Sequence, residues 1–92
     1  MDRPQRRREV TSSLQQNMGA SATTLAIIKA NFLMSNELFY DARELLLDRV
    51  RSDPDEPTLH FLLGELYDKT GLKALAGEEY GEAEFLRKGR PQ

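Results

Sequence analysis

Shifted by 34 residues, the chain falls onto itself. Thr24-Leu25 lands on Thr58-Leu59, Leu38 on Leu72, Ala42 on Ala76 and Glu44 on Glu78. Between these identities the size class is kept. Ile27 meets Phe61, Ile28 meets Leu62, Ala30 meets Gly64, Phe32 meets Leu66, Leu33 meets Tyr67 and Leu46 meets Tyr80. A short unit repeated in this way is one supersecondary element that cannot bury its own apolar face, so neighbouring units must stack.

Within each unit the apolar spacing is helical and predicts four helices without strands. From Thr23 to Ser35, Leu25, Ile28 and Phe32 with Ile27, Ala30, Leu33 and Met34 beside them form a broad face, which predicts a mostly buried helix. Leu38 to Ser52 is amphipathic, with Leu38, Ala42, Leu45, Leu46 and Val50 opposite Asp41, Arg43, Glu44, Asp48, Arg49 and Arg51. Pro54 and Pro57 interrupt the pattern, because proline cannot continue the hydrogen-bond ladder. Pro57 suits the first turn of a third helix, for which Asp55 is the candidate cap. That helix runs to about Thr70 and ends at Gly71, where a left-handed residue is wanted. A fourth helix spans Leu72 to about Lys88, and Gly77 and Gly81 on it predict close approach of another backbone.

Composition narrows the chemistry. There is no Cys and only one His, so disulfides, thiolate zinc ligands, thiol nucleophiles and imidazole clusters are all excluded. Hydrophobic residues at 39% suffice for a modest core. The apolar runs fall far short of the roughly 20 residues that span a bilayer, and no apolar leader segment follows the N-terminal arginines. A cytoplasmic protein, or a soluble domain of a longer one, is the expectation. Residues 1–22 form a basic extension with four Arg against two acids, while residues 23–92 hold nine basic and thirteen acidic residues. Val10 and Leu14 are a thin apolar stripe, so the extension is expected either as a docking helix or as a disordered arm. Arg6-Arg7-Arg8 reads as a solvated arm rather than a nucleic-acid site, because three arginines without interleaved aromatics make a poor phosphate-tracking surface. Glu78 and Glu82 lie one turn apart beside Glu79 and Glu84, yet nothing in the sequence orients them against a nucleophile. They read as a charged helix face, and no catalytic residue, cofactor or metal site is expected.

The second unit, residues 57–90, resembles the tetratricopeptide repeat family. That motif asks for an aromatic, Leu, a small residue, Tyr, Ala and an aromatic, and this chain has His60, Leu63, Gly64, Tyr67, Ala76 and Tyr80 in those places. The first unit, residues 23–56, has Ala26, Lys29, Ala30, Leu33, Ala42 and Leu46 there and closes on Pro54. Lys29 stands where the family has Leu. The resemblance covers roughly three quarters of the chain. It implies an all-α pair of helix-turn-helix hairpins in a right-handed superhelix. Independently, Ala30 and Gly64 lack bulk where hairpin helices approach, Ala42 and Ala76 lack it opposite, and Leu33, Leu46, Leu63, Tyr67 and Tyr80 fill the flanks.

Such repeats usually present one stripe of their first helix to a concave groove. By resemblance those residues are Thr24, Ile27, Asn31 and Met34, then Thr58, Phe61, Glu65 and Asp68. Only Asn31 agrees with the branch of the family that clamps a C-terminal carboxylate. Ile27, Phe61, Met34 and Leu62 are the expected apolar floor, with Glu65 and Asp68 as an acidic edge that suits an amphipathic segment carrying Lys or Arg. The implied function is a non-catalytic scaffold or adaptor that binds a protein or peptide. The alternative is a self-associating structural subunit or a regulatory fragment of a larger assembly or enzyme. About three repeats are normally needed for a stable stack. The missing burial is therefore expected from the N-terminal extension, from a second copy in a homodimer, or from further repeats.

Overall fold

The computed structural model describes residues 22–89; the N-terminal extension lies outside them. Among the described residues there are four helices and no strand. Helix α1 covers residues 22–35, α2 Phe39–Ser52, α3 Pro57–Lys69 and α4 Lys73–Lys88. None of them is long and apolar enough to cross a membrane.

The 34-residue register reaches down to the backbone hydrogen bonds. At the α1–α2 turn the Leu38 amide donates to the Leu33 carbonyl at 2.8 Å, and at the α3–α4 turn the Leu72 amide donates to Tyr67 at 2.8 Å. Glu37 donates to Met34 as Gly71 donates to Asp68, and Ala42 to Leu38 as Ala76 to Leu72. Leu38 and Leu72 also share one backbone conformation, φ −90 and ψ 65 against φ −91 and ψ 72. Both turns need a left-handed residue. Gly71 supplies it freely at φ 85, whereas Glu37 at φ 60 carries a Cβ into that region and is strained.

Between the hairpins, Pro57 is the first residue of α3, which makes Glu56 rather than Asp55 the capping residue. The Glu56 carboxylate accepts from the Thr58 amide at 2.9 Å. The reason is positional: the cap immediately precedes the first helical residue.

The core is centred on α3, which packs against both α2 and α4. Ala30, Ala42, Leu46, Leu59, Leu62, Leu63, Leu66, Tyr67 and Ala76 form one buried cluster, with Leu33 and Tyr80 half-buried against it. Gly64 faces the Tyr80 ring of α4. A Cβ built on it would lie 2.7 Å from the Tyr80 ring, so the ring occupies the space a side chain would need. The glycines of α4 behave differently. A Cβ on Gly77 or Gly81 would meet nothing within 4 Å, so the close backbone approach expected of them does not occur. They lie on a side of α4 that no described helix faces.

Helix α1 also departs from expectation. Leu25, Ile28 and Phe32 are 65%, 60% and 64% exposed, whereas Leu59, Leu62 and Leu66, one repeat later, are 0%, 4% and 2% exposed. The physical cause is the neighbour. Helix α3 has α2 lying against that stripe, and among the described residues nothing lies in the corresponding place on α1.

Candidate interaction cleft

Of the stripe expected to face a groove, Thr24, Asn31, Thr58 and Asp68 are exposed, and Ile27 and Glu65 are half-buried. Phe61 is 48% exposed. Met34 and Leu62 are instead buried in the core and cannot serve as a groove floor. Leu62 follows the exposed Phe61 by one position and so turns back toward the packed face, whereas Met34, on the line itself, is covered by the core cluster.

Phe61 and Thr58 open onto a cleft of about 510 Å³ between α3 and α4, whose other lining residues are Pro57, Tyr80, Ala83, Glu84 and Arg87. The Phe61 and Tyr80 rings meet in a tilted arrangement with centroids 5.6 Å apart. One wall thus comes from the first turns of α3 and the other from the last half of α4. At the rim Arg87 donates to Glu84 at 2.7 Å, and Lys88 approaches the same carboxylate at 3.4 Å. These two cations hold the Glu84 carboxyl below its ordinary range.

The acidic edge sits beside the aromatic wall. Burial, and then the negative charges of Asp68 and Glu65, push the Tyr80 phenol above its usual pKa, so both carboxylates act on the ring that lines the cleft. Asp68 also pairs with Lys73 across the α3–α4 turn. The α4 lining residues escaped the sequence reading, although one signal was available. Tyr80 and Glu84 are one repeat after Leu46 and Val50, the α2 residues that pack into the core.

Behind the cleft, His60 ties three elements together. Its Nε2–H donates to the Pro54 carbonyl at 2.8 Å, and its Nδ1 lies 2.9 Å from a Glu79 carboxylate oxygen. Burial disfavours the charged ring, but the Glu79 and Pro54 hydrogen bonds and the charges of Glu79 and Glu82 outweigh it and raise the pKa above 6.5. A raised folded-state pKa gives stability that is complete below the unfolded value and lost as pH rises through the folded one. The variant His60→Gln is therefore expected to lose about 1–3 kcal/mol at pH 6 and clearly less at pH 9. Urea unfolding at both pH values measures this, and an equal loss at the two would refute a charged imidazole.

Among the described residues no group of three or more His, Cys, Asp or Glu side chains could hold a metal ion. The chain matches no protein-family model, no curated protein and no solved structure.

Proposed function

We propose that this chain is a non-catalytic interaction module of the tetratricopeptide type that seats an amphipathic helix in the α3–α4 cleft. The observation that carries the reading is the open apolar cleft walled by Phe61 and Tyr80. Helix-in-groove recognition needs a concave apolar surface for side chains at helical spacing and a charged rim for register. The negative charges of Asp68 and Glu65, which act on Tyr80, favour Lys or Arg on the partner. Rigid positioning of that surface is the whole mechanism, and no bond is made or broken.

Two synthetic amphipathic helices with one apolar face, one bearing Lys and the other Glu on the polar face, test the reading by fluorescence anisotropy. The Lys peptide is expected to bind more tightly, and Phe61→Ala to weaken it about tenfold or more, as loss of a central aromatic anchor does. Equal binding of both peptides, indifferent to Phe61, would remove the cleft from consideration. A second reading, a structural subunit that assembles with its own kind, is favoured by the exposed Leu25, Ile28 and Phe32 stripe.

A further inference from the structure

Among the described residues, open apolar surfaces lie at opposite ends of the repeat order: the Leu25, Ile28 and Phe32 stripe of α1 and the cleft between α3 and α4. They correspond to the two sides of a contact that already exists inside the chain. Moved back by 34 residues, the cleft positions Pro57, Thr58, Phe61, Tyr80, Ala83 and Glu84 become Thr23, Thr24, Ile27, Leu46, Arg49 and Val50. There the space is largely closed, with only Thr24 exposed. Thr23 and Leu46 are buried, Ile27 and Val50 pack against the core, and that core contains Leu59, Leu62 and Leu66 of α3. The α1 stripe occupies the repeat positions of those same three α3 residues.

We infer that the α3–α4 cleft receives α1 of a second copy of this chain, so that copies join head to tail and extend the stack. This inference rests on the reading of the cleft as a helix-binding site, and it names the helix.

Three positions exchange an apolar residue for a charged one between the repeats. Leu63, buried on α3, corresponds to Lys29 on α1, which is exposed. Leu45 and Val50, which pack against the core from α2, correspond to Glu79 and Glu84 on α4. Of these glutamates only Glu84 lines the cleft, where Arg87 and Lys88 already pair with it, while Glu79 is engaged by His60 behind it, so the apolar repeat correspondence rather than charge carries the contact.

The residues before α1 are a weaker candidate to cover the stripe. In the same register, Thr11, Ser12 and Gln16 stand where α2 has Leu45, Leu46 and Val50. That segment lacks the apolar face with which α2 covers α3.

A head-to-tail contact uses two different surfaces and leaves one of each open, so it propagates. Light scattering of the full chain over a concentration series is expected to show a mass that rises past the dimer. Phe32→Asp disables one surface and Phe61→Asp the other, and each is expected to weaken association at least about tenfold. Mixed together, the two variants retain one intact pair of surfaces and should form a heterodimer that grows no further. Thr58→Arg, at an exposed rim position, replaces Phe61→Asp if the latter lowers the melting temperature. A monomer at all concentrations that still binds the Lys peptide would overturn the inference and leave the cleft's function standing. A monomer that binds no peptide would overturn both. A fixed dimer that Phe61→Asp leaves intact would show that two α1 stripes pair with each other, and would overturn the head-to-tail arrangement.

Discussion

Gly64→Leu is expected to lower the stability of the fold by about 2 kcal/mol and its Tm by about 8 to 16 °C. Gly64 sits in the middle of the most buried helix, and a Cβ there would lie 2.7 Å from two carbons of the Tyr80 ring. No backbone adjustment of a few tenths of an ångström relieves that contact, so the ring must leave its place against Phe61 or α4 must shift. Leucine returns up to about 1 kcal/mol of helix propensity, and overpacking costs about 1–3 kcal/mol or somewhat more. The signature of such a clash is coupling. Thermal melts of Gly64→Leu, Tyr80→Ala and the double variant should show the double losing much less than the sum of the singles, because removing the ring makes room. An unchanged Tm for Gly64→Leu would mean that the two helices do not cross as described.

The largest contrast is expected between two leucines at one repeat position. Leu59→Ala should cost about 2–5 kcal/mol, since the side chain is completely buried and its removal leaves a cavity among Leu46, Leu63 and their neighbours. Leu25→Ala should change stability by no more than about 0.5 kcal/mol, because its side chain is mostly in water. Urea unfolding at low micromolar concentration, where copies are separate, is the appropriate measurement. A Leu25→Ala loss approaching that of Leu59→Ala would show that something covers the α1 stripe even in the single chain.

Most of the helical framework could be read from the sequence. Pro57, Gly71 and the apolar spacing placed the ends of α3 and α4 within about one residue, because start and stop signals act locally and need no tertiary partner. The small residues Ala30, Gly64, Ala42 and Ala76 were readable as packing positions because a close helix crossing leaves no alternative. Partners were harder to read. Periodicity shows which side of α1 is apolar, but only the surrounding elements decide whether that side is covered, and Leu25, Ile28 and Phe32 look no different in sequence from Leu59, Leu62 and Leu66. The same ignorance of neighbours assigned tight packing to Gly77 and Gly81. The cleft was half legible: Thr58 and Phe61 follow from the α3 stripe, but Tyr80, Ala83 and Arg87 required knowing which edge of α4 remains open. His60 reads as a packing residue, and its two polar partners lie 6 and 19 residues away, beyond the reach of local pattern.

Glu37 bears on the order in which the chain comes apart. In a stack where each unit touches only its neighbours, cooperativity is limited by the weakest link. Here the strained left-handed Glu37 lies in the same hairpin as the bare outer side of α1, while glycine at the matching turn and contacts on both sides stabilise α3. Amide protons of α3 are therefore expected to outlast those of α1 in exchange with solvent. Firmness thus sits in the middle helix, which neighbours hold on both sides, and the hairpin that carries the stripe gives way before it.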